Sequence, residues 1–118
     1  MEPVTHMISL TNTDGVPRLG IDFRRGNSIT WVILQGEADI ATLEDLGTAL
    51  DHVELDGAES VHLHVTALDF VDVATMRRLT LFARRAGRAG HSIMTCGANP
   101  TFRTLARLLG ARADLGLL

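Results

Sequence analysis

Two aspartates, Asp39 and Asp72, each stand where an apolar, strand-like run gives way to a helical pattern. Carboxylates at the ends of neighbouring strands lie where α/β folds place their sites, and a pair of them is suited to acid–base chemistry. No nucleophile or cation cluster accompanies them, so capping of two helix N-termini together with contact to a partner is the better reading. His62 and His64 share one face of an alternating strand, as a metal-binding pair would. The sequence offers no evident third ligand, because His91 and Cys96 lie on another strand and differ in side by parity. The pair therefore reads as polar residues on the less buried face, and neither a metal nor another cofactor is expected. Cys96 has no motif around it and reads as a small buried apolar residue. All basic side chains are arginine, so no lysine is available for a Schiff base. Gly87-Arg88-Ala89-Gly90 follows a helical pattern and precedes a strand, the wrong order for a phosphate cradle. An enzyme built on Asp39, Asp72 and His64 would lack both nucleophile and cofactor motif, and the chain is expected not to be one.

The bulk composition narrows the partners. The chain has 118 residues, 46% of them hydrophobic and 21% charged, enough for one sizeable core. No apolar run approaches the ~20 residues that span a bilayer, and residues 1–10 lack the basic flank and apolar stretch of a secretory leader. A single cysteine excludes an intrachain disulfide and fits a reducing cytoplasm. A net charge of −3, with one Trp, four Phe and no Tyr, argues against a nucleic-acid binder.

The elements that position these residues follow from hydrophobic period. Residues 1–18 are rich in Thr, Asn, Gly and Pro and read as a loosely held arm with a short strand at 7–10. Residues 19–118 read as a single domain. Ile21 and Phe23 alternate with charged residues as an edge strand, and 25–28 is a hairpin-type turn. The β-branched and aromatic run 29–35 is the first strong strand. A helix is expected over 41–53, with Leu43, Leu46, Leu50 and Val53 as its stripe and Thr42–Asp45 or Asp39 as its cap. Val61, Leu63 and Val65 mark a second strong strand. The next helix, 73–87, has Val73, Met76, Leu79, Thr80, Ala83 and Ala86 inward. A strand over 91–96 precedes a last helix opened by Asn99-Pro100. This order implies an α/β fold: a mostly parallel four-stranded sheet with an antiparallel edge strand and three to four helices. The C-terminal Leu-Gly-Leu-Leu either packs on the body or pairs with a second copy as a homodimer.

The segment Leu68-Asp69-Phe70-Val71-Asp72-Val73-Ala74-Thr75-Met76 resembles the signature of the STAS family, the sulfate-transporter and anti-sigma-factor-antagonist domain. That family typically reads apolar-apolar-Asp-Ser-Ser-Gly here. A second anchor, Leu34-Gln35-Gly36-Glu37-Ala38-Asp39-Ile40-Ala41-Thr42, is similar to the family's apolar-Gly-Glu-Leu-Asp segment. One helix and one strand fit between the anchors, and the resemblance covers roughly residues 20–112 in element order. It implies the STAS fold and a partner: an anti-sigma factor with an ATP-binding, kinase-like fold that docks on the unmodified turn and is repelled once a serine there is phosphorylated.

The departures from that pattern bear on regulation. Val73 and Ala74 stand at the two hydroxyl positions, Thr75 where Gly is usual, and His64 where an Asp is common. Ala74 cannot accept phosphate, so the resemblance implies a docking-competent state that is not switched at the usual position. Thr75, one residue further into the helix, is the weaker phosphorylation candidate, and packing or local capping is its better reading. The implied partner surface comprises Asp39, Thr42, Asp72, Val73, Ala74 and Thr75, extended by Arg77 and Leu81. Leu81 projects among Arg77, Arg78, Arg84, Arg85 and Arg88, an apolar knob suited to an acidic partner. The alternative is a STAS subunit that regulates a transporter or scaffolds a stressosome-like signalling assembly.

Overall fold

In the computed structural model, which describes residues 4–11 and 17–117, the chain runs β1 (Val4–Thr11), β2 (Pro17–Gly26), β3 (Ile29–Ala38), α1 (Leu43–Asp51), β4 (Ser60–Val71), α2 (Val73–Arg88), β5 (Ser92–Cys96) and α3 (Pro100–Leu108). The strands form one sheet in the order β1-β2-β3-β4-β5. β1–β2 and β2–β3 pair antiparallel, while β3–β4 and β4–β5 pair parallel. Asn27 and Ser28, both at positive φ (53° and 66°), make the two-residue turn between β2 and β3; such turns match the right-handed twist of the strands they join.

The α/β architecture is the one expected, with one strand more. Residues 1–3 and 12–16 of the expected arm lie outside the described residues, but Val4–Thr11 pairs with β2 from Arg25 to Pro17, with one register shift, and becomes a fifth strand. β4 is also longer than the pattern at 61–65 suggested. Register shifts against β3 between Ile33 and Gln35, and again between Gly36 and Glu37, break its alternation without ending it. α1 is shorter than 41–53. Ala41 and Thr42 belong to a turn closed by Thr42 N–H donating to the Asp39 carbonyl at 3.0 Å.

Alternation at period two sends Leu19, Ile21 and Phe23, Val32 and Leu34, and Val61, Leu63 and Val65 to one face of the sheet. Leu46 and Leu50 of α1, Met76, Leu79 and Ala83 of α2, and Phe102 and Ala106 of α3 complete a single core against it. Leu46 and Leu79 are fully buried, each contributing about 1.5–3 kcal/mol. The opposite face carries Trp31, Ile33, His62, His64 and Cys96, all half-buried. The tail after α3 packs on the body: Ala111, Leu115 and Leu117 join the core, and Thr95 Oγ1 donates to the Leu115 carbonyl at 2.5 Å.

Candidate functional site

The site begins where two parallel strands end together. Ala38 of β3 pairs with Val71 of β4, and Asp72 N–H donates to the Ala38 carbonyl at 3.2 Å. Gly36 lets β3 lie close against β2 just before this end. At φ +96° a Cβ there would fall 2.1 Å from the Arg18 carbonyl oxygen, so only glycine fits. Arg18 in turn reaches the strand end, pairing with Glu37 at 3.3 Å and with the Asp39 carboxylate.

Asp39 is held from both sides. Its Oδ1 accepts from Ala41 N–H at 2.9 Å, and Thr42 Oγ1 accepts from its N–H and donates to its carbonyl, each at 3.2 Å. Neither expected cap of α1 forms: Asp39 closes the turn that precedes the helix and accepts from no helix N–H, and the Thr42–Asp45 pair is absent. Thr42 occupies the N-cap position of α1 but its side chain caps no helix N–H. Its hydroxyl is spent on the Asp39 turn and the residue is buried, so the expectation that Thr42 presents itself to a partner is corrected.

Asp72 starts α2 as its N-cap, with extended backbone (φ −89°, ψ 173°) and Oδ1 accepting from Thr75 N–H at 2.8 Å. That bond fixes the rotation of the first turn. Val73 and Ala74 come out on the accessible side, whereas Thr75 is fully buried and its Oγ1 has no hydrogen-bond partner. Thr75 therefore cannot touch a partner, and a kinase would reach it only after the helix start opens. Val73, expected on the inner stripe, is instead 43% exposed, and Phe82 takes a place in the core.

Ala74 is half-buried and lines a groove of about 480 Å³ between α1 and α2, shared with Leu43, Gly47, Thr48, Arg77 and Leu81. Arg78 ties its walls. Its Nη2 donates to the Gly47 carbonyl at 2.9 Å and to Asp51 Oδ1 at 2.5 Å. A Cβ on Gly47 would lie 3.0 Å from Arg78 Nε, which accounts for a glycine inside a helix despite its cost of about 1 kcal/mol relative to alanine. Arg84 pairs with Asp114 at 2.9 Å and Arg85 with Asp51 at 3.6 Å. Of the five arginines on α2, only Arg77 and Arg88 make no ion pair among the described residues, so the basic ring expected around Leu81 is largely neutralised.

Exposed apolar side chains collect on the elements around this groove: Ile40 (72%), Phe70 (50%), Val73 and Leu81 (38%). Scattered apolar residues are ordinary on a surface. Here three of the four belong to two adjacent strand ends, since Phe70 pairs with Glu37 and Val71 with Ala38. With both carboxylates engaged in turn and cap, the arrangement suits docking better than catalysis. Ile40, Phe70 and the α1 wall were not singled out by sequence reasoning; the available signal was Gly47, a glycine with no place in a good helix.

On the opposite face the parallel register sets His64 beside Cys96 and His62 beside Met94. His62, His64 and Cys96 thereby form a cluster that the sequence did not reveal, since strand parity without register left Cys96 unassigned.

The family model described as "Mlab, STAS domain" matches residues 21–118, and the chain belongs to that STAS domain family. The fold is similar to the crystal structure of an anti-sigma factor antagonist from Mycobacterium paratuberculosis, with a TM-score of 0.70 and 18% identity over 92% of this chain and 89% of that one. It is also similar to an antisigma-factor antagonist STAS domain from Rhodobacter sphaeroides, with a TM-score of 0.52 and 17% identity over 80% of this chain and 87% of that one. No curated protein matches the chain in sequence. No described helix is long and apolar enough to cross a membrane.

Proposed function

We propose that this chain is a non-catalytic, cytoplasmic bacterial regulator of the anti-sigma-factor-antagonist type. It holds an ATP-binding, kinase-type anti-sigma factor on the surface formed by Asp39, Ile40, Phe70, Asp72, Val73, Ala74, Arg77 and Leu81. Its grip is not released by phosphorylation at the usual position. The observation that supports this reading is the setting of Ala74. Its methyl group faces an accessible groove two residues beyond the Asp72 cap, with exposed Val73 beside it and Leu81 further along the wall. A phosphoserine there would bring nearly two negative charges to an apolar docking edge; a methyl group brings none. The solved antagonist structures similar in fold support an anti-sigma factor as the partner in general. Affinity capture with the wild type and Ala74→Glu tests it. Wild type should recover an ATP-binding anti-sigma factor and Ala74→Glu should lose it; equal recovery, or none by wild type, counts against the proposal.

The same methyl group favours one second reading. A subunit bound permanently to a transporter or a signalling scaffold has no need of a toggled serine. Recovery of membrane-transport or scaffold proteins in place of an anti-sigma factor would establish that reading over the first.

A further inference from the structure

We propose that His62, His64 and Cys96 bind a zinc ion on the helix-free face of the sheet, stapling edge strand β5 to β4. One ligand atom from each residue lies within 4.8 Å of the other two. A tetrahedral zinc with bonds of about 2.0–2.3 Å holds its donors roughly 3.3–3.7 Å apart, so small side-chain rotations close the set. The backbone already supplies the alignment. His62 and His64 are two apart on one strand, their rings stacked with centroids 6.4 Å apart, and Cys96 is the direct cross-strand partner of His64.

The hydrogen-bond pattern separates these histidines from the others. His91 Nδ1 meets the Ala58 carbonyl at 2.5 Å and His52 Nδ1 the Thr48 carbonyl at 2.7 Å. Those rings have structural partners. Neither the His62 nor the His64 ring makes a hydrogen bond among the described residues, and the His62 ring lies 6.4 Å from the rings of both His64 and Trp31. Two imidazoles and one thiolate form a borderline-soft donor set that suits zinc. Three protein ligands leave a fourth position for water. All three residues are half-buried, open enough for the ion to enter. The benefit to the fold is local. β5 is the five-residue edge of the sheet and is paired with β4 alone, so a metal bridge across that pair would restrain the weakest strand junction.

Cobalt(II) titration of the full chain tests the site. One equivalent should give thiolate-to-cobalt charge-transfer absorption with tetrahedral d–d bands, displaced by zinc. Cys96→Ser should abolish the charge-transfer band, and His64→Ala should weaken binding on the order of tenfold or more. Met94→Leu, on the same face, should leave both unchanged. Alkylation of wild type covers the event that a variant fails to fold. Cys96 is the only cysteine, and zinc should slow its reaction with iodoacetamide on the order of tenfold by occupying the thiolate. Absence of the charge-transfer band, an unchanged alkylation rate, or equal zinc affinity in the His64→Ala/Cys96→Ser double variant would each overturn the proposal.

Discussion

The Asp72 carboxylate accepts from the backbone N–H of Thr75 at 2.8 Å, and this one bond sorts the first turn of α2 into an outward methyl and an inward hydroxyl. Ala74 faces the α1–α2 groove; Thr75 enters the core without a hydrogen-bond partner. Asp72→Ala removes the cap and should cost about 1 kcal/mol, within the 0.5–2 kcal/mol usual for caps. Urea unfolding measures it. A change below a few tenths would mean that the carboxylate does not set the helix start.

Thr75→Val tests the inward hydroxyl. A buried hydroxyl without a partner is a liability of about 1–3 kcal/mol, and the isosteric methyl removes it. The variant should be as stable as wild type or more stable by about 1 kcal/mol. A loss greater than that would show that Oγ1 has a partner in solution.

Arg78 and Asp51 should respond unequally. The Arg78 side chain is 17% exposed and that of Asp51 52%. Arg78→Ala strips the Gly47 carbonyl and Asp51 together and should cost about 1–2 kcal/mol. Asp51→Ala breaks a largely solvated pair and should cost less than about 1 kcal/mol. Equal losses would contradict the view that Arg78 is the brace between the groove walls.

Two glycines isolate strain from clash. Gly36 and Gly90 share nearly the same positive φ, +96° and +98°, but a Cβ at Gly36 strikes the Arg18 carbonyl at 2.1 Å while one at Gly90 meets nothing within 4 Å. Gly90→Ala should cost about 1 kcal/mol from conformation alone. Gly36→Ala should cost roughly 2 kcal/mol or more beyond that, or prevent folding. Thermal melts of the two variants compare them directly.

What could be read from the sequence was what local period and end-chemistry dictate. The Asn99 cap with Pro100 behind it needed no tertiary information, and Asn99 Oδ1 accepts from Phe102 N–H at 2.8 Å as such a cap should. The period-two runs at Ile21–Phe23 and Val61–Val65 lie in strands whose inward residues are buried. Features set by register were hidden. β4 continues to Val71 because irregular pairing with β3 absorbs two breaks in alternation, and broken alternation reads as the end of a strand. Cys96 meets His64 only once the β4–β5 register is fixed. Val73 reads as apolar and therefore inward, yet the Asp72 cap rotates the helix start and turns it out. Thr42 reads as part of a partner surface, and its burial follows from how α1 seats on the sheet; Thr75, whose better reading is packing or local capping, is buried.

The most direct measurement uses the captured anti-sigma factor with ATP and magnesium, following its affinity for wild type, Ala74→Glu and Ala74→Ser. Wild type should stay unmodified by mass spectrometry and stay bound. Ala74→Glu should bind about 100-fold more weakly, about 2.7 kcal/mol, and Ala74→Ser should become a phosphate acceptor and be released. Phosphate on Thr75 of wild type that frees the partner, or an Ala74→Glu variant that binds as tightly as wild type, would contradict a docking face centred on Ala74 that phosphorylation does not switch.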